Sequence, residues 1–233
     1  MKRLEPNKQR SLAAMILLGI MILTQVASII LNLSRYSLLQ SVDQGQMVTV
    51  EEAESSDAMV WYLTILTIII FVGCVITYMM WFYRAYRNLH LIQDGVLYTS
   101  QWAILAWITP IVNLFRPQQI MRELYDMTRS YLVIKGVSRE SLSSNRLISW
   151  WWGFWVISNF IGQADMSTTA KAKDIRELME ATIVSTFADI VLIIAGILAI
   201  LVIKNYAQME DELQHLSPQN EYILTDLSNH LIQ

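Results

Sequence analysis

With 233 residues, 54 % of them hydrophobic and only 16 % charged, the chain is more apolar than an ordinary water-soluble domain. A formal net charge of −3 offers no basic surface for nucleic acid. The single cysteine, Cys74, excludes an internal disulfide and any C-x-x-C metal site.

The apolar residues are blocked rather than spread. No charged residue falls between Ser11 and Ser34, Ala58 and Tyr83, Gly95 and Phe115, or Leu147 and Ala164, and only Asp189 interrupts Ala181 to Ile203. A helix needs about 20 mostly apolar residues to cross the hydrocarbon. The pattern therefore predicts an all-α, polytopic integral membrane helix bundle with spans over residues 11–33, 58–82, 147–164 and 181–203.

In chain order, residues 1–10 carry Lys2, Arg3, Lys8 and Arg10 against Glu5 and form a cytoplasmic N-terminus. The apolar run that follows is too long for a signal peptide, whose core spans about 7–15 residues, so it reads as a retained span. Ser34 to Asp57 is acidic, with a turn at Asp43-Gln44-Gly45 and capping-box spacing between Thr49 and Glu52. Trp61 and Trp81 suit the two interfaces of the second span.

Residues 96–115 are ambiguous. The segment is charge-free, yet its first third is polar, and Pro110 breaks its strongly apolar part, Trp102 to Leu114. Short apolar runs suit re-entrant or interfacial segments. Lysine and arginine placement decides the matter. If the segment re-enters, thirteen of the 17 basic residues are cytoplasmic, and only Arg35, Lys171, Lys173 and Arg176 lie outside. If it crosses, that bias disappears. Four spans with both termini cytoplasmic is the expected topology, within a single membrane domain over residues 11–206.

Beyond Pro117 the pattern becomes amphipathic, with Ile120, Leu124, Met127 and Tyr131 on one face of a helix over about 117–134. Trp150, Trp151, Trp152 and Trp155 read as an aromatic belt at one end of the next span. Asp165 to Glu180 reads as a mixed-charge external helix. The tail over residues 207–233 reads as cytoplasmic, an acidic helical extension broken at Ser217-Pro218.

The run Trp81-x-x-Arg84-x-x-Arg87-Asn88, then Trp102 and Trp107, Pro110-x-x-Asn113-Leu114-x-Arg116-Pro117, Met121-x-Glu123-Leu124, and Trp151-Trp152 with Trp155 resembles the bacterial membrane proteins catalogued as domain of unknown function 4328. The resemblance covers roughly Val60 to Tyr206 and implies a multi-span bacterial membrane protein, whose expected location is the cytoplasmic (inner) membrane. It brings no activity, cofactor or catalytic residue with it.

Three constellations are candidates for function. Arg84, Arg87 and Asn88 project from one helical face, and with Arg116 they form a candidate lipid or phosphate-anion site. The plainer reading makes the arginines orientation anchors paired with Glu123, Asp94 or phosphates at large, an Arg84–Glu123 or Arg87–Glu123 pair tying the two interface helices together. Asn113 is expected to satisfy backbone freed by Pro110, which makes Asn113 and Glu123 structural partners. Gln25, Thr67, Asn159 and Asp189 fall at similar depth on four helices, a candidate polar layer for a proton or cation, or simply a hydrogen-bonded tie.

No P-loop, dinucleotide fingerprint, HExxH or G-x-S-x-G is present, so no cofactor, metal or enzymatic site is expected. The leading expectation is a non-enzymatic binding or scaffolding component that engages anionic phospholipid, a protein partner or a second copy at the cytoplasmic face. The alternative is a small transporter or channel built on the layer around Asp189.

Overall fold

The structure, a computed structural model, describes residues 4–216. Lys2, Arg3 and the Ser217-Pro218 break lie outside the described residues, as does the tail beyond Leu216. All regular structure among the described residues is helical: α1 (Lys8–Asp43), α2 (Val50–Ile92), α3 (Trp102–Ile108), α4 (Arg116–Ile134), α5 (Arg146–Lys171) and α6 (Ile175–His215), with 3-10 turns at Val112–Leu114 and Arg139–Ser141.

Local chemistry sets the helix ends. Gly45 takes φ +76, a left-handed conformation a side chain would resist, and ends α1. Thr49 and Glu52 then cap α2 reciprocally: the Thr49 N–H donates to Glu52 at 3.0 Å and the Glu52 N–H to Thr49 Oγ1 at 3.2 Å. At the α5–α6 junction the Glu177 N–H donates to Asp174 Oδ1 at 2.9 Å, and the Lys173 N–H to Glu177 at 2.7 Å. Asp165 to Glu180 is consequently not one external helix. Its first part ends α5, its last part begins α6, and Asp174 starts the new helix.

Among the described residues three helices, α1, α2 and α6, are long and apolar enough to cross a membrane, as in an integral membrane protein. Only 6 % of the apolar window of α2 is buried against protein, leaving Ile68, Ile69, Phe71 and Val72 exposed, a surface suited to lipid rather than water. The fourth apolar block, in α5, falls short of the other three because its tryptophans, Asn159 and Gln163 dilute its aliphatic residues.

Residues 96–115 hold one helix of seven residues, α3. At 1.5 Å per residue it reaches about 10 Å, far less than the roughly 30 Å of hydrocarbon. The chain reverses after it. Pro110 accepts from the Val112 N–H at 2.7 Å, and Ile111 sits at φ 64, a strained conformation for a β-branched residue.

The chain divides into two compact units. One comprises Ile16–Val75 and Trp150–Ile200. Small residues admit neighbours here: a Cβ on Gly196 would stand 3.1 Å from Ile22 Cγ1, and one on Gly73 would stand 3.3 Å from Leu17 Cδ1. The tryptophans of α5 are not a uniform belt. Trp151 and Trp152 are buried, Trp152 stacks on Trp155 at 4.6 Å, and Trp150 alone of the run is strongly exposed.

The other unit comprises, among the described residues, 4–15, Ile76–Ser149 and 201–216. Its core is aromatic. Trp81 is fully buried, edge-on to Tyr206 at 6.0 Å, so its ring packs against protein and is not an exposed interfacial anchor. Tyr125 packs on Tyr206 at 5.5 Å and donates to the Val202 carbonyl. The buried face of α4 is Ile120, Met121, Leu124, Tyr125, Thr128 and Leu132. Met127 and Tyr131 are only half-buried, so the packed face is rotated from the expected one toward Tyr125 and Thr128.

Candidate functional site

Arg84, Arg87 and Asn88 all meet Glu5 of the same chain. Glu5 precedes Pro6, which disfavours the helical region for the residue before it. The helix α1 starts only at Lys8, so the Glu5 backbone N–H and C=O are free for other partners. Asn88 takes both: the Glu5 N–H donates to Asn88 Oδ1 at 3.0 Å, and Asn88 Nδ2 donates to the Glu5 carbonyl at 2.9 Å. One carboxylate oxygen of Glu5 pairs with Arg84 Nη1, and the other lies 3.2 Å from Arg87 Nη2.

A second layer lies beneath. Glu210 of α6 is buried at 3 % exposure and accepts from Asn88 Nδ2 at 2.9 Å and from Asn7 Nδ2 at 3.0 Å. The Asn7 amide also donates to the Trp81 carbonyl at 3.2 Å. Glu210 lies beyond Lys204, past the apolar run of α6. Burial pushes its carboxyl up to about 7, against the Asn88 and Asn7 hydrogen bonds and the Arg84 charge, which favour the ionised form; Asp211 adds to the rise. Lys8 and Asp211, at 3.6 Å, close the edge in an exposed pair of little energetic weight.

Glu123 does not pair with Arg84 or Arg87, because Glu5 holds both. It accepts instead from Tyr86 Oη at 2.5 Å and from the Leu97 N–H at 2.6 Å, fastening α4 to α2 and to the loop before α3. Next along that loop, Tyr98 Oη accepts from Arg116 Nη1 at 2.7 Å, and the Arg116 guanidinium lies over the Tyr98 ring, 4.7 Å from its centroid. Gln119 accepts a further bond at 3.0 Å. Among the described residues no carboxylate lies within ion-pair distance of Arg116. Leu97, Leu105, Ile108, Ile111, Leu114 and Phe115, on or beside this hairpin, are exposed. Asn113 Nδ2 donates to the Trp107 carbonyl at 3.3 Å and so occupies a backbone group at the end of α3.

A family model described as Domain of unknown function (DUF4328) matches residues 44–208. The chain belongs to that family. No curated protein and no solved structure matches it. The DUF4328 segment contains Arg84, Arg87, Asn88, Asn113, Arg116 and Glu123. Glu5, Asn7 and Glu210 lie outside it, so the DUF4328 segment supplies the guanidinium pair and the flanking chain supplies the carboxylates.

In the other unit, Gln25, Thr67, Asn159 and Asp189 do not form one hydrogen-bonded layer. Asn159 is exposed and donates to the Trp155 carbonyl of its own helix, and Gln25 reaches only Met21 Sδ at 3.8 Å. The Asp189 carboxylate is met from α1, by Asn32 Nδ2 at 3.2 Å and by Ser28. Ser185, one turn before Asp189, donates to Asp165 of α5.

Sequence reasoning missed Glu5, Asn7 and Glu210 in one unit, and Ser28, Asn32 and Asp165 in the other. Only one signal was available for the first group. Glu210 falls four residues after Tyr206 on a helix whose Ile203 and Tyr206 face is apolar, which puts a carboxylate on the packed side.

Proposed function

We propose that this chain is a membrane-embedded, non-enzymatic binding component that engages the phosphate of anionic phospholipid at the cytoplasmic face. The observation that carries the reading is Arg116: a guanidinium with no carboxylate partner among the described residues, lying over the Tyr98 ring and 5.7 Å from the centroid of the exposed Phe115 ring. Such a group, directly after a hairpin that exposes Ile108, Ile111 and Leu114, fits the boundary between acyl chains and head groups, where a lipid phosphate supplies the missing anion.

In this reading α5 is a fourth span and residues 96–115 re-enter from the cytoplasmic side of a bacterial inner membrane. Both termini are cytoplasmic, and α4 lies in the plane of that leaflet. Arg84 and Arg87, occupied by Glu5, are a second basic group on the same face, and Asn88 holds that segment in place. Asp189, engaged by Asn32 and Ser28, holds α6 to α1 and carries no flux.

The test is native mass spectrometry of the full-length protein released from nanodiscs containing phosphatidylglycerol. Wild type and Asp189→Asn should retain stoichiometric lipid, and Arg116→Ala should lose it. Equal retention by Arg116→Ala would overturn the reading. An ion flux lost in Asp189→Asn would replace it with transport.

A further inference from the structure

The Arg84/Arg87 pair binds an anion already, and that anion is tethered to the chain. Each Glu5 oxygen faces a different guanidinium, and two converging guanidiniums bridged by one oxyanion is the arrangement a phosphate group also satisfies. One pair cannot hold both anions in full contact. The Arg87 side chain is 47 % exposed, so the pair is open on one side to an incoming group.

Asn7 is an anchor, bonded to Glu210 and to the Trp81 carbonyl, and residues 4–6 before it are held by the Asn88 bonds and the Glu5 ion pairs. Leu4 and Glu5 are half-buried, Pro6 is exposed, and only Asn7 is buried. The Asn88 bonds go to the Glu5 backbone and do not depend on its side chain, whereas the two ion pairs depend on it entirely. Asn88 therefore places the segment and the Glu5 charge occupies the site.

We infer that residues 4–6, hinged at the anchored Asn7, are a displaceable strap, with Glu5 as a built-in competitor that keeps a phosphate-bearing lipid head group off Arg84 and Arg87 until the strap leaves. This rests on the lipid-binding reading above, and it concerns a contact distinct from Arg116. A head group carrying a phosphate monoester, with more charge than one carboxylate, is the ligand best able to displace Glu5.

The experiment uses full-length protein in phosphatidylcholine nanodiscs, with phosphatidic acid as the probe. Two quantities are read: phosphatidic acid retained by native mass spectrometry, and hydrogen exchange of the Glu5 amide, which Asn88 protects. Glu5→Gln preserves side-chain size and the Asn88 bonds, and it should tighten apparent affinity by about tenfold, equivalent to 1.4 kcal/mol. Arg84→Ala/Arg87→Ala should remove this gain. In wild type, adding phosphatidic acid should speed Glu5 amide exchange, a readout that needs no variant.

Equal affinity of wild type and Glu5→Gln, with exchange unmoved as lipid binds, would overturn the strap while leaving the Arg116 contact standing. Retention of no phosphatidic acid by either protein, with Arg116→Ala also without effect on phosphatidylglycerol, would sink the lipid reading and the strap together. If inorganic phosphate at matched concentration displaces the strap as well as the lipid does, the head-group source is wrong and the ligand is a free phosphate.

Discussion

Replacing Asn88 tests the described cluster most directly, because one carboxamide makes three of its hydrogen bonds. Asn88→Ala removes two neutral bonds to the Glu5 backbone and one to the Glu210 carboxylate. At about 1 kcal/mol for each neutral bond and about 2 for the charge-assisted one, the gross loss is about 4 kcal/mol. The partly exposed Glu5 groups regain water, so the net cost should be about 2–3 kcal/mol. Asn88→Asp goes further. It loses both donated bonds and sets a second carboxylate where Nδ2 lay 2.9 Å from Glu210. The added cost is capped by protonating the new acid at pH 7, about 4 kcal/mol from its ordinary pKa. Chemical unfolding in micelles, followed by tryptophan fluorescence, should rank the proteins wild type, Asn88→Ala, Asn88→Asp in falling stability at pH 7. The gap between the two variants should narrow toward pH 5. Equal stability of Asn88→Ala and wild type, or Asn88→Asp above Asn88→Ala, would falsify the assignment of Asn88 as the joint between residue 5 and α6.

Glu210 makes stability depend on pH in the direction opposite to a salt-bridged acid. Its pKa is about 7 in the folded chain against an ordinary 4.5, so the stabilisation is full below 4.5 and is lost as pH rises through 7. The difference amounts to about 3 kcal/mol at 1.36 kcal/mol per unit, and Glu210→Gln should flatten unfolding free energies measured from pH 5 to 8. Two helical glycines should respond oppositely to alanine. Gly153→Ala, with nothing within 4 Å, should gain about 0.5–1 kcal/mol from reduced backbone freedom, whereas Gly196→Ala, 3.1 Å from Ile22, should fall below Gly153→Ala by about 1–2 kcal/mol in the same unfolding assay. For topology, Ser138→Cys on a Cys74→Ala background should be shielded from an impermeant thiol reagent in intact cells and labelled in inverted vesicles; labelling in intact cells would reverse the proposed orientation.

Sequence alone determined the helical class and the membrane character, because a charge-free run such as Ala58 to Tyr83 has only one comfortable solvent and satisfies its backbone only as a helix. It also determined local events: the Thr49–Glu52 cap, the turn at Gly45 and the break at Pro110 each depend on a few neighbouring residues. The shared face of Arg84, Arg87 and Asn88 was legible too, since it follows from helical period. What that face meets was not. Glu5, Asn88 and Glu210 are distant in sequence, and no periodicity relates them. Glu123 was the nearest acidic residue on a neighbouring predicted helix, but packing of α4 turned it to Tyr86 and Leu97. Likewise Trp81, which suits an interface by its place in the sequence, packs into the core, and Asp189 meets Asn32 and Ser28 rather than Asn159. A side chain's period says which neighbours share its face, whereas its partner is set by how helices rotate and slide to bury aromatic volume, and that is decided only when Trp81, Tyr125 and Tyr206 pack together.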